Sequence, residues 1–370
     1  MKPASTGDTM FKKELEVTLH KASADQVKPK PDQNSLGFGQ FFTDHMFTMR
    51  WNRNNGWHDA AIEPYHSFAM DPAAMVFHYG QAIFEGMKAY RGKDDQIFLF
   101  RPADNFTRMN QSAVRMCMPR FPQERVLQAL RAMVYLDQEW VPRAPGSTLY
   151  IRPTMIAVEP ALGLRPAEEY LFFIISCPVG AYYAEGFAPT RIYVEDKYVR
   201  AVPGGVGNAK TAGNYAASVK AQVEAHEKGY TQVLWLDAVE RRYVEEVGTS
   251  NIFFLINNEL ITPPLEGSIL PGITRDSVLQ LARDWGYQVS ERRITIDEVV
   301  AAGKDGSLKE SFGTGTAAVI SPVGELCYRE QHVKINGGAT GALAKRLFEE
   351  LQAIQFGYLD DAHKWRVRVG

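Results

Sequence analysis

The segment Gly204 to Thr211, GGVGNAKT, sets three glycines ahead of a lysine at what reads as the start of a helix, and two chemistries could use it. Glycine lets a backbone come close to a ligand. One chemistry is the phosphate cradling of a nucleotide-binding loop, although GxxxxGK[ST] asks for glycine where Ala209 stands and no apolar strand feeds the segment directly. Val233 to Asp237, four apolar residues and a carboxylate, would be the acidic strand of that alternative. The other chemistry is nucleophilic and rests on Lys210. Desolvation and the positive end of a helix dipole favour a neutral amine, which can form a Schiff base with a carbonyl.

Composition narrows the classes. Lysine plus arginine total 41 against 43 aspartate plus glutamate, a formal net charge of −2, so no overall field attracts nucleic acid or an anionic membrane. With 45% hydrophobic and 23% charged residues in 370, the chain reads as an ordinary folded protein of about two domains. The longest apolar-rich stretch, Tyr170 to Ala184, is broken by Ser176, Pro178 and Gly180 and is too short to span a bilayer. Lys12 and Lys13 lead into Glu14, Glu16 and His20 rather than an apolar targeting segment, so a cytoplasmic address is expected. Cys117, Cys177 and Cys327 are an odd number without CxxC spacing, and the eight histidines include no HExxH. No disulfide framework and no metal site are expected.

The elements that must position Lys210 follow from apolar periodicity. Residues 1–35 are polar and lysine-rich and read as an extended leader, with structure starting near Phe38. A first α/β region, residues 36–180, carries strands at Gln96 to Phe100, Thr148 to Val158 and Tyr170 to Val179, and helices at Ala103 to Met116 and Pro122 to Trp140. The stretch from Gly180 to Gly207 is rich in glycine, proline and tyrosine, and residues 181–203 read as a connector. In the second region, residues 204–370, the pattern predicts helices at Ala212 to Lys228, Ile273 to Trp285, Thr295 to Ala302 and Gly338 to Phe356. Thr295 and Glu298 have the spacing of a capping box. Strands are expected at Gln232 to Leu236 and as a pair around the Asn257-Asn258 turn.

Several blocks in order resemble one family: FTDHM (Phe42 to Met46), HYGQAIFEGMKAYRG (His78 to Gly92), LYIRPTMI (Leu149 to Ile156), EPALGL (Glu159 to Leu164), GGVGNAKTAGNY (Gly204 to Tyr215), EEVGTSNIFF (Glu245 to Phe254), GSILPGITR (Gly267 to Arg275) and FGTGTAAVISP (Phe312 to Pro322). Together they are similar to branched-chain amino-acid aminotransferases, which are fold-type IV pyridoxal-phosphate enzymes. The likeness runs from about residue 36 through nearly the whole chain. It implies a mixed α/β, two-domain fold of the D-amino-acid aminotransferase type, with pyridoxal 5′-phosphate between the domains.

Carried over residue by residue, the resemblance implies that Lys210 holds the cofactor aldehyde and shuttles the substrate proton, and that Glu246 pairs with the pyridine nitrogen. Tyr215 would hydrogen-bond the ring oxygen. Arg108, the N–H groups of Ile273 and Thr274, and the Thr316 hydroxyl would hold the phosphate, and Thr249 would lie near cofactor and substrate. Tyr150 and the Thr316-Ala317 backbone would receive the substrate α-carboxylate, and Arg152 the side-chain carboxylate of glutamate. Phe38, Tyr79, Phe84, Tyr182 and Tyr215 would line the apolar pocket, with Leu162 and Leu164 entering from the other subunit of a homodimer.

The implied activity is reversible ping-pong transfer of the amino group of leucine, isoleucine or valine to 2-oxoglutarate. Ala318 and Ser321 stand where some relatives carry a CxxC thiol switch, so regulation of that kind is not expected. Other readings of the same residues are a D-amino-acid transaminase, an aminodeoxychorismate lyase, a P-loop NTPase and a non-catalytic dimeric binding protein.

Overall fold

Runs of β-branched and aromatic residues build two large sheets in the computed structural model, which describes residues 15–180 and 187–370. The first sheet takes β1 (Val17–Leu19), β2 (His45–Asn52), β3 (Gly56–Pro64), β4 (Ala82–Phe84), β5 (Met87–Arg91), β6 (Ile97–Phe100), β7 (Thr148–Ala157) and β8 (Glu169–Val179). The second takes β9 (Thr190–Glu195), β10 (Gln232–Leu236), β11 (Val244–Val247), β12 (Ser250–Ile256), β13 (Glu259–Thr262), β14 (Gln288–Glu291), β15 (Leu308–Gly315), β16 (Val319–Tyr328) and β17 (Gln331–Lys334). A last strand, β18 (Arg366–Val369), returns to the first sheet and pairs with β6.

The order in the first sheet is β1-β3-β2-β8-β7-β5-β6-β18, with β4 on β7. In the second it is β11-β10-β9-β16-β15-β12-β13-β14, with β17 on β16. The continuous apolar run of β8 is explained by its place between β2 and β7, where both faces are covered.

Seven α-helices among the described residues cover these sheets: α1 (Met75–Tyr79), α2 (Pro102–Arg115), α3 (Gln123–Leu136), α4 (Ala212–Glu227), α5 (Ile273–Asp284), α6 (Ile296–Asp305) and α7 (Ala342–Gln355). Helical spacing puts Phe106, Met109 and Ala113 of α2 and Val126, Leu130 and Met133 of α3 into the first core. A further cluster joins Tyr90 and Phe100 of the first sheet to Phe253, Phe312, Val278 and Leu347 of the second half. Burial of these side chains, about 2 kcal/mol each, fixes the two halves against one another along a seam.

The strands and helices expected from periodicity fall where spacing placed them, within a few residues at their ends. Two expectations change. Residues 15–35 are not a free leader: β1 pairs in parallel with β3, the Lys28 N–H donates to Asp44 at 2.9 Å, and Lys30 forms an ion pair with Asp44 at 2.9 Å. Polar composition hid this because the segment is held largely by backbone pairing with β3 and by polar contacts to Asp44 and His45. The stretch read as a connector contains β9, which lies between β10 and β16 in the second sheet.

Thr295 caps α6 as its spacing predicts, accepting the Glu298 N–H at 3.1 Å, but Glu298 turns to Arg292 at 2.6 Å instead of closing the reciprocal half of the box. Thr295→Ala is expected to destabilise the protein by about 1 kcal/mol, read as a lower midpoint of chemical unfolding. An unchanged midpoint would show that the cap contributes nothing.

Candidate active site

Lys210 sits where the two halves meet. Its carbonyl accepts the Phe84 N–H at 3.0 Å, its own N–H donates to Ser112 Oγ at 2.9 Å, and Thr211 Oγ1 donates to the Ala82 carbonyl at 2.8 Å. The residues entering α4 are thereby stitched to β4 of the other sheet. The glycines before Lys210 serve approach of the chain to itself. A Cβ on Gly207 would lie 2.2 Å from the Ser268 carbonyl oxygen, and the carbonyls of Gly204 and Gly205 accept from Arg115. The Lys210 Nζ donates to Tyr215 Oη at 2.8 Å and stands over the Phe84 ring at 5.1 Å.

Glu246 lies on β11 and is 3% exposed. Its Oε2 is 2.6 Å from Arg200 Nε, while its Oε1 accepts from Asn251 Nδ2 at 3.0 Å and from the Leu270 N–H at 3.2 Å. Burial pushes the carboxyl up to about 7, with the Arg200 charge opposing the rise. Arg200 Nη2 also donates to the Ser268 carbonyl, so one buried guanidinium ties the carboxylate to the loop that packs on Gly207.

Arg108 projects from α2 and is not a lone cation. Its Nε and Nη2 pair with both oxygens of the fully buried Glu85, at 2.7 and 2.8 Å, and its Nη1 donates to the Pro271 carbonyl at 2.9 Å. Burial opposes the charge on Glu85, but Arg108, Lys210 and Asn105 outweigh it and hold the carboxyl below its ordinary range. Two guanidinium N–H groups of Arg108 remain for a ligand. Beside it α5 begins after Gly272 with no side-chain cap, leaving the N–H groups of its first turn for an anion.

Tyr150 and Arg152 alternate along β7, with Arg152 Nη2 donating to Tyr150 Oη at 3.1 Å and its guanidinium 4.6 Å from the Phe84 ring centre. Phe38 packs on Tyr150 at 4.9 Å between ring centres. From β5, Lys88 reaches across the seam and donates to the Ala317 carbonyl at 2.6 Å, and burial brings its ammonium down to about 8.

One cavity of about 560 Å³ is lined by Phe38, Phe84, Arg108, Tyr150, Arg152, Lys210, Tyr215, Glu246, Thr249, Ile273, Thr274, Thr316 and Ala317. Tyr79, Leu162 and Leu164 lie outside it and are exposed, and Tyr79 Oη donates to the Leu162 carbonyl. Tyr182 lies outside the described residues. Sequence reasoning missed Glu85, Lys88, Arg200 and Asn251. Only the FEG block hints at Glu85, since a carboxylate beside a glycine in an apolar stretch asks for a buried partner.

The side chains present suit pyridoxal phosphate. An amine, a phenol, a carboxylate, and a guanidinium beside a helix N-terminus face one space, and Arg152 Nε and Thr314 Oγ1 are buried there without a hydrogen-bond partner. A Cβ at Gly86 would come within 2.1 Å of Tyr150 Oη, and one at Gly272 within 2.0 Å of Asn251 Oδ1, so glycine is required on both flanks.

Residues 82–326 match the class IV amino-transferase family, and the chain belongs to it. It is 56% identical over 342 residues to branched-chain-amino-acid aminotransferase 2 of Bacillus subtilis, covering 92% of this chain and 94% of that one. Among solved structures, the branched-chain amino acid aminotransferase of Escherichia coli superposes with a TM-score of 0.74 at 25% identity, covering 88% of this chain and 99% of that one. The branched-chain amino acid aminotransferase of Thermobaculum terrenum in its PLP-form does so with a TM-score of 0.72 at 25% identity, over 88% of this chain and 98% of its own. The resemblance read from the sequence blocks is thus borne out, as are the fold-type IV architecture and the cofactor class.

Glu246 gives the protein freed of cofactor a signed pH dependence. Its carboxyl ionises near 4.5 when unfolded and near 7 when folded, so between those values the native state holds a proton that the unfolded state has lost. Stability therefore falls as pH rises through that window. Thermal unfolding of the Glu246→Gln apoprotein is expected to decline less steeply between pH 5 and about 7, and a slope equal to wild type would contradict the assignment.

Proposed function

We propose that this protein is a pyridoxal-phosphate-dependent transaminase that moves the amino group of leucine, isoleucine or valine to 2-oxoglutarate, reversibly and by a ping-pong mechanism. The observation that carries the reading is the joint placement of Lys210 and Glu246 in one cavity, with Arg108 and the start of α5 beside them. High identity to a branched-chain aminotransferase over nearly the full chain supports the substrate class.

When bound, the cofactor supplies an aldehyde for the amino group and an aromatic ring into which the electrons of the Cα–H bond can spread. Arg108 and the N–H groups of Ile273 and Thr274 would hold its phosphate, a dianion that suits a guanidinium and a helix N-terminus together. Glu246, whose charge is favoured against burial by Arg200 and by the Asn251 and Leu270 N–H groups, would face the protonated ring nitrogen and hold its proton there. Tyr215 orients the Lys210 amine through their hydrogen bond, and Lys210 Nζ would carry the proton from the substrate Cα to the cofactor's former aldehyde carbon, and back again in the reverse direction.

Tyr150 Oη and the Thr316-Ala317 backbone would receive the α-carboxylate, with Thr249 beside it. Phe38 and Phe84 offer an apolar wall to a branched side chain. Arg152, stacked on Phe84, would meet the second carboxylate of glutamate, which lets one pocket take both substrates. The exposure of the large apolar side chains Phe77, Leu162 and Leu164 supports a homodimer in which Leu162 and Leu164 reach the other subunit's pocket. Its free cysteines fit a cytoplasmic address.

The purified protein is expected to show a visible Schiff-base band that bleaches with L-leucine and not with D-leucine. Bleaching only by the D-enantiomer would favour a D-amino-acid transaminase, and a colourless protein that binds Mg-ATP would overturn the reading. Arg152→Met is expected to raise the KM for 2-oxoglutarate roughly ten- to a hundredfold with little change for L-leucine, because a charge-assisted hydrogen bond is lost. Equal loss for both substrates would contradict that role.

A further inference from the structure

Arg101 precedes Pro102, the first residue of α2, and its backbone is left-handed, with φ of 49° and ψ of 43°. A residue with a Cβ adopts that conformation at a cost, so something must hold it there. The main chain is held by an N–H to the Trp365 carbonyl at 2.8 Å, and the guanidinium lies 5.5 Å from the Trp365 ring centre. The conformation aims the side chain across the seam. Nε pairs with Asp104 on its own helix at 2.6 Å, while Nη1 meets Asp276 at 2.7 Å and Ser277 Oγ at 2.9 Å in the first turn of α5.

These contacts fall on the two helices that would share the phosphate. From α2 comes Arg108, and from α5 come the N–H groups of Ile273 and Thr274. Among the described residues, the other side-chain tether from α2 to the entry of α5 is Arg108 to the Pro271 carbonyl, inside the cavity itself. Asp276 matters for a second reason. A carboxylate in the first turn of a helix is drawn to that turn's N–H groups and would compete there with a bound anion. Arg101, together with Gln280 Nε2 at 2.6 Å, holds Asp276 on the outer side.

We infer that Arg101 is a positioning residue for the cofactor phosphate: it sets the register of α2 against α5 and keeps Asp276 off the helix terminus that the phosphate would occupy. The inference rests on the pyridoxal-phosphate reading of the cavity. It adds a residue that touches neither cofactor nor substrate.

The test compares the affinity of apoprotein for pyridoxal phosphate and for pyridoxal, which lacks the phosphate, by absorbance titration of wild type, Arg101→Gly and Arg101→Lys. Glycine tolerates the left-handed backbone and removes only the side chain, whereas a lysine nitrogen cannot serve Asp104, Asp276 and Ser277 together. Arg101→Gly is expected to bind pyridoxal phosphate about tenfold more weakly with pyridoxal affinity unchanged, a change of about 1.4 kcal/mol in the phosphate's share, and Arg101→Lys to fall between. Equal weakening of both ligands, or of neither, would overturn the inference. If Arg101→Gly does not fold, the same ratio in Arg101→Lys decides. A wild-type apoprotein that takes up no pyridoxal phosphate would overturn the site reading itself, and with it this proposal.

Discussion

Where the two sheets meet, Glu85, Arg108 and Glu246 are all taken out of water and have to be paired there. A carboxylate or guanidinium removed from water is costly unless another charge and further hydrogen bonds answer it. Glu246 is answered by Arg200, Asn251 and the Leu270 N–H, and Arg108 by Glu85 and the Pro271 carbonyl. Each pair draws its members from separated stretches of chain. Each pair closes within one half, and the bonds from Arg108 to the Pro271 carbonyl and from Lys88 to the Ala317 carbonyl carry the buried cations across the seam, in the arrangement that leaves Lys210, Tyr215 and the start of α5 facing a common space.

That arrangement also explains why so much of the site is held by backbone. Lys210 is fixed through its carbonyl and N–H to Phe84 and Ser112, which leaves its amine free to bond Tyr215. Gly207 lets the preceding loop lie against Ser268, whose carbonyl in turn accepts from the Arg200 that faces Glu246. A change at the glycine loop would reach the carboxylate through that contact, although no glycine touches it.

Much of this was legible in the sequence, for identifiable reasons. Period-2 and period-3.6 apolar runs gave β7, β8, α2 to α5 and the hairpin of β12 and β13, because each buries one or two faces against a core. The ordered blocks around Lys210, Glu246 and Thr316 gave the cavity-lining residues. The pairing of Arg200 and of Glu85 was not legible, since a buried ion pair has the same composition as an exposed one, nor was the bond of Lys88 to a distant backbone carbonyl; only the fold reveals these partners. β9 was hidden by the prolines and glycines around it, and β1 by the polar residues that flank it. Tyr79, Leu162 and Leu164 were expected at the pocket and stand apart from the cavity of a single chain.

The Lys210 amine is the proposed carrier of the cofactor aldehyde. Borohydride reduction of the protein as purified, followed by proteolysis and peptide mass analysis, tests it most directly. A reduced phosphopyridoxyl group is expected on the peptide containing Lys210 and on no other. Recovery of that peptide unmodified, with the label on a different lysine or absent, would contradict it.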